Sequence, residues 1–314
     1  MKKKLVAGAV TLLSVVTLAA CANGTNKDVV TMKGDAITVS DFYDEIKTNQ
    51  GAQQVLFQMT INKVFEKEYG SKVSDKEVDK ELAKQKKQLG KQFDAYLAQQ
   101  GLTEETAKKQ IRSNMLLEYA VNQAAKKDIK ESDYKAAFES YTPEVTAQII
   151  KLNSEDKAKE VLEATKAEGA DFSQIAKDNS TDAATKDKGG EVKFDSGTAN
   201  IPSQVKEAAF KLDENGISDV ITVSAGQNYS PSYYIVKLDK KTEKGSDWKK
   251  YEKRLKEIIV EGRKQDPNYI RSIIAKAMTN ANIKVKDDAF KSTFNQYLQN
   301  IGVGTSDSSS SSKK

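Results

Sequence analysis

The sequence has no histidine, one cysteine, four prolines and one tryptophan among 314 residues. With Cys21 as the lone thiol, neither a disulfide, a zinc centre nor a Cys/His catalytic pair can be assembled within one chain. No cofactor and no metal are therefore expected, and stability must come from packing. A strong excess of one charge is lacking too. Once residues 1–20, with Lys2, Lys3 and Lys4, are set aside, 47 basic face 45 acidic side chains, which leaves no electrostatic footprint for nucleic acid. Long apolar runs are missing after residue 18. At 38% hydrophobic and 30% charged residues, the composition suits a soluble globular protein and excludes a multi-span membrane protein.

What is present begins at the N-terminus. Lys2 to Lys4 precede the apolar run Leu5 to Leu18, the basic and hydrophobic regions of an export signal that is too short for a spanning helix. The run ends Leu18-Ala19-Ala20-Cys21, which resembles the lipobox of bacterial lipoproteins. That resemblance implies a signal peptide over 1–20, a diacylglycerol on the Cys21 thiol, and attachment to the extracytoplasmic side of the cell membrane through acyl chains. The alternative is that Cys21 is simply a small residue at an ordinary cleavage site. Residues 21–36 read as the lipidated cysteine and a polar tether, with the folded body starting near Ile37.

Val73-Ser74-Asp75-Lys76-Glu77-Val78 has the form of a capping box, Ser74 at the N-cap and Glu77 three places later, with Val73 and Val78 as the hydrophobic staple. Val78, Leu82, Leu89, Phe93 and Leu97 then predict one apolar stripe on a long helix ended by Gly101. Thr103 starts the next helix, with Ile111, Met115 and Tyr119 among its apolar positions. Between Glu144 and Lys240 the texture becomes α+β: the runs Val145 to Leu152 and Tyr233 to Leu238 predict strands. A polar linker, Lys241 to Ser246, leads to helical patterns around Trp248, Leu255 and Ile258, then Ile270 to Ala277, then Phe290 to Leu298. Ser308 to Ser312 mark a disordered tail.

The central stretch carries a series of short motifs in order. Phe172-Ser173-Gln174-Ile175-Ala176 and Ser180-Thr181-Asp182, then Lys188-Gly189-Gly190-Glu191-Val192, Glu207 to Leu212 and Gly216-Ile217-Ser218 resemble the motifs of parvulin-type peptidyl-prolyl isomerases. Together with the lipobox and helical flanks, the whole chain resembles the PrsA-type foldase lipoproteins of Gram-positive bacteria. The fold class this implies is α+β. Helical N- and C-terminal arms, 37–142 and 242–302, form one chaperone-like domain. An inserted parvulin module, 143–241, carries a four-stranded antiparallel sheet flanked by helices, and 303–314 forms the tail.

The same resemblance places Val192, Ile201, Val205 and Phe210 at the substrate-binding surface and Asp182 at the family's acidic catalytic position. Parvulins usually carry two facing histidines, in patterns like A-x-H-I-L and Y-H-I-[IV]-K. Gln148 and Tyr234 are taken as the matching positions, and a neutral hydrogen-bond network between them is chemically available. Gly189 and Gly190 suit a loop that needs positive φ.

The implied partners are unfolded or partly folded secreted proteins presenting X-Pro segments, and the lipid bilayer through Cys21. Self-association into a homodimer is left open. Two functions stay open for the module, a working prolyl isomerase or a catalytically silent chaperone that uses it only for binding. Met115, Tyr119 and Phe138 are candidate client-facing side chains. A third reading, a solute-binding lipoprotein of a transporter, requires two α/β lobes, whereas the predicted strands are confined to one module.

Overall fold

A computed structural model describes residues 27–224 and 230–298. The expected signal peptide, Cys21 and the Ser-rich tail lie outside the described residues, as do residues 225–229. Among the described residues, no helix is long and apolar enough to cross a membrane.

In chain order the elements are β1 (Asp28–Met32), β2 (Asp35–Thr38), α1 (Val39–Ile46), α2 (Gln50–Tyr69), α3 (Asp75–Leu89), α4 (Phe93–Gln99), α5 (Glu104–Lys127) and α6 (Glu131–Ser140). They continue with β3 (Val145–Leu152), α7 (Glu155–Lys166), α8 (Phe172–Asn179), β4 (Glu191–Phe194), α9 (Ser203–Lys211), β5 (Ile221–Val223) and β6 (Ser232–Lys240). The last three are α10 (Glu252–Gln265), α11 (Pro267–Asn280) and α12 (Lys291–Leu298). They fall into two compact units, one made of residues up to Glu68 together with those from Ile274, the other of Tyr69–Ile273.

In the first unit, segments distant in sequence are knitted together. The Phe57 ring on α2 meets Phe294 edge-on at 5.4 Å and Tyr297 at 4.4 Å. The Tyr43 hydroxyl donates to Asp287 at 2.7 Å, and Gln53 donates to the Ala289 carbonyl at 3.0 Å. Part of the expected tether is structured here. From Asp28 onward the chain forms an antiparallel hairpin, β1 on β2, where the sequence reading placed linker up to residue 36.

The second unit holds α3 to α6, the mixed module and α10. Ser74 caps α3 in a box with Glu77, and Thr103 caps α5 in a box with Thr106. The expected single helix to Gly101 is instead two. Gly90 stands at φ +52°, outside helical space, and a 3₁₀ turn over Gly90–Gln92 separates α3 from α4. The break preserves the apolar stripe, since Val78, Leu82, Phe93 and Leu97 are all buried. Arg263 on α10 donates to the Ala125 carbonyl at 3.0 Å and to Asp133 at 2.8 Å, tying α10 to the end of α5 and the start of α6.

The module's four strands run antiparallel in the order β4-β3-β6-β5. β3 is central, so it is apolar on both faces. Ile150, Leu152, Tyr233 and Ile235 point to the side covered by α7 and α8, where Val161, Phe172 and Ala176 meet them. Val145, Ala147, Ile149, Val236 and Leu238 point to the other side, beneath Val205 and Ala209 of α9.

Candidate functional site

The α9 side of the sheet gathers Val192, Ile201, Val205, Phe210 and Tyr234 of the sequence-derived site residues. Around its buried core sit the half-buried side chains Val192, Ile201, Phe210 and Tyr234, with Ile221 and Val223 of the edge strand. Phe210 packs its ring on Phe194 at 5.8 Å. This is a partly open apolar surface. Val205, expected beside them, is 0% exposed and lies beneath this surface. Its spacing of four from Ala209 puts it on the stripe that α9 presses into the sheet, so it supports this surface without lining it.

The register decides the catalytic candidates. Tyr234 pairs across with Lys151, and Ile149 with Val236, in an unbroken ladder from Ala147 to Leu152. Side chains alternate between faces, so Tyr234 shares the α9 face with Ile149 and Lys151, whereas Gln148 points to the α7/α8 face. The expected network between Gln148 and Tyr234 therefore does not form. Gln148 Oε1 is buried there without a hydrogen-bond partner. Counted from Ala147, the histidine place of the A-x-H-I-L pattern is Ile149, which is 2% exposed and has no polar atom in its side chain.

Lys151 was missed in the sequence. Its ammonium lies over the Tyr234 ring at 5.9 Å, giving the open end of the face a positive charge.

Asp182 sits at that same end, in a loop stitched to β3. The buried Ser180 Oγ accepts from the Lys151 amide at 3.2 Å, and the Thr181 amide donates to the Lys151 carbonyl at 2.8 Å. Both Asp182 oxygens are used within the turn, accepting from the Ala184 amide at 3.0 Å and from the Thr185 hydroxyl at 2.9 Å. Its geometry is that of an Asx turn.

The loop then returns through Gly189 and Gly190, at φ +67° and +82°. Gly190 accepts at its carbonyl from the Ile149 amide at 2.8 Å, and a Cβ on Gly190 would stand 2.6 Å from the Ile149 carbonyl oxygen. Glycine is required there by both backbone conformation and close approach.

The proposed client-facing residues of the helices are less open than expected. Met115, Tyr119 and Phe138 are half-buried. The Tyr119 ring packs on Tyr69 at 5.7 Å, and Phe138 stacks on Tyr251 at 5.8 Å. Large exposed apolar side chains are concentrated instead in the first unit, at positions such as Val30, Met32, Phe42, Val55 and Met59. Among the described residues, no group of three or more acidic or Cys side chains is placed to hold a metal ion.

Comparison with known proteins agrees with this architecture. The family model described as Rotamase, PPIC-type PPIASE domain, matches residues 142–240. The chain is 61% identical over 302 residues to the foldase protein PrsA of Streptococcus sanguinis, covering 96% of this chain and 90% of that one. It is 58% identical to the foldase protein PrsA of Streptococcus gordonii over the full length of both. The crystal structure of foldase protein PrsA from Streptococcus pneumoniae superposes with a TM-score of 0.78 at 54% identity, covering 86% of this chain and 99% of that one. An α+β chain with a parvulin-type sheet between helical segments, similar to these proteins along nearly all of its length, belongs to the PrsA foldase family.

Proposed function

We propose that this protein is a foldase held by a lipid on Cys21 at the extracytoplasmic side of the cell membrane, where it assists the folding of exported proteins. In this reading, the parvulin-type module holds X-Pro segments on the apolar surface formed by Val192, Ile201, Phe210 and Tyr234, and does not accelerate their isomerisation. The observation that carries it is that Tyr234 shares its face of the sheet with Ile149, a hydrocarbon, and not with Gln148. Isomerisation requires the C–N bond to lose partial double-bond character against a barrier of ~18–20 kcal/mol. A hydrogen-bonded network that shapes the amide environment is the family's means to that end. Here one of its two central places is a buried hydrocarbon, and the Asp182 carboxylate is committed to its own turn.

Binding alone still serves folding. A chaperone that captures unfolded chain removes it from aggregation by mass action, without any bond rearrangement. The test is refolding of an exported protein whose slow phase is set by a proline, in the presence of the chain lacking residues 1–20. Stoichiometric protein should raise the yield and leave the slow rate constant unchanged. Acceleration of that phase at a few per cent of stoichiometry would overturn the silent-module reading, and an unchanged yield would overturn the foldase reading itself.

A further inference from the structure

The β1–β2 hairpin keeps large apolar side chains in solvent, and β1 is exposed along its whole length. Val30 pairs directly across from Ile37, and Met32 lies two residues along the same face. These three are 48%, 41% and 52% exposed, whereas the smaller Ala36 and the polar Thr38, on the opposite face of β2, are half-buried. A two-stranded ribbon ordinarily turns its apolar face inward, and a slip of one residue would exchange the faces.

The pairing shifts once, between Asp28 and Val30, and is regular from Val30 to Met32, which keeps Val30, Met32 and Ile37 on one face. Thr38 is fixed as the N-cap of α1 by a reciprocal box with Asp41, the Val39 amide donates to the Lys27 carbonyl at 2.9 Å, and Gly34 supplies the φ of +87° that the turn needs. These contacts fix the two ends of the ribbon while Val30, Met32 and Ile37 stay exposed.

We infer that the face formed by Val30, Met32 and Ile37 docks on the surface of the membrane that carries the anchor. The inference rests on the lipid-anchor reading given above. Six residues, seven Cα-to-Cα steps, separate Cys21 from Asp28. Even fully extended they reach at most ~25 Å. The ribbon can never leave the neighbourhood of the bilayer, so a contact too weak to bind from solution is made intramolecular and is occupied through its effective concentration. Lys27 and Lys33 at the two ends of β1 are balanced by Asp28 and Asp35, the latter across from Met32 at the turn end of the face, where its carboxylate stays at the headgroup level. The contact is consequently apolar, with side chains entering the boundary between headgroups and acyl chains, and it is insensitive to salt. Docking would orient the first folded unit on the membrane.

The single thiol makes the test direct. The chain from Cys21 onward, carrying Met32→Trp and Trp248→Phe, is coupled through Cys21 to a maleimide lipid in phosphatidylcholine vesicles, with or without brominated acyl chains. The expected result is a blue shift of the indole emission and its quenching by the brominated lipid, equal at low and high salt and abolished by adding Val30→Ser and Ile37→Ser. Emission identical to that of the uncoupled protein overturns the inference. So does a blue shift that arises without vesicles and grows with protein concentration, which assigns the face to a second copy. So, too, does a shift seen only when unfolded client is added. The anchor is tested separately, by incorporation of a fatty-acid label into the full chain in cells and its loss in Cys21→Ala. Absence of label there overturns the anchor, whatever the coupled vesicles report.

Discussion

Arg254 of α10 grips both carboxylate oxygens of Asp195, at 2.6 Å through Nε and 2.8 Å through a terminal nitrogen. Asp195 follows β4 directly and is 5% exposed, and it also accepts from the Thr198 hydroxyl at 2.9 Å and the Tyr141 hydroxyl at 3.1 Å. One carboxylate thus joins the parvulin-type sheet to the helix that follows it in the chain. Burial alone would push this carboxyl up, but the hydrogen bonds from Arg254, Thr198 and Tyr141 outweigh it and hold the group below the ordinary carboxylate range. Burial and the neighbouring Asp195 charge push the Tyr141 phenol above its usual range.

Removing the cation leaves a buried charge without its main partner. Arg254→Ala should destabilise the protein by about 2–3 kcal/mol, below the ~3–5 kcal/mol of a fully buried pair because the guanidinium stays partly solvated. Arg254→Lys should recover only part of this, since an ammonium cannot form the two-pronged contact. Urea denaturation checks both.

The same carboxylate sets an acid limit. A group whose pKa is lower folded than unfolded contributes stability that is present above the unfolded value, ~3.9 for aspartate, and is lost as pH falls through the folded value. The melting temperature should accordingly be level at neutral pH and fall below about pH 4. In Asp195→Asn it should start lower and fall less steeply, which calorimetry from pH 7 to pH 2.5 would record. A parallel decline in both proteins would contradict the assignment.

Local signals in the sequence carried far. The caps at Ser74 and Thr103 are fixed by residues three places apart, and the bounds of β3 by a run of eight, so each was legible without tertiary knowledge. Gly90 was not. A glycine inside an intact apolar stripe reads as tolerated, and only its φ reveals the break. The hairpin at 28–38 was hidden because its apolar face is exposed, leaving no buried alternation to read. The error at Gln148 has a third origin. The faces of a strand differ by one residue, and assigning the histidine place one position early moved the candidate from the α9 face to the opposite core. Counting from Ala147 would have found Ile149.

That correction is itself testable. Ile149→His with Tyr234→His places two imidazoles on one face and should raise prolyl isomerisation by an order of magnitude or more, equivalent to ~1.4 kcal/mol off the barrier. Gln148→His with Tyr234→His divides them between faces and should give no gain. Melting temperatures verify that both variants fold.

Gly190→Ala forces a side chain into φ +82° and against the Ile149 carbonyl oxygen. A loss of about 2 kcal/mol or more is expected, with the cost falling on the pairing of the 180–190 loop with β3. Hydrogen exchange at the Ile149 and Lys151 amides should rise before that elsewhere in the sheet.

The most direct measurement is exchange spectroscopy of an X-Pro peptide with the chain lacking residues 1–20, read together with the shifts of the protein's own signals. The expected result is saturable perturbation at Ile201, Phe210 and Tyr234 with cis–trans exchange at the uncatalysed rate. Accelerated exchange that disappears in Asp182→Ala would contradict it and establish a working isomerase built without histidine.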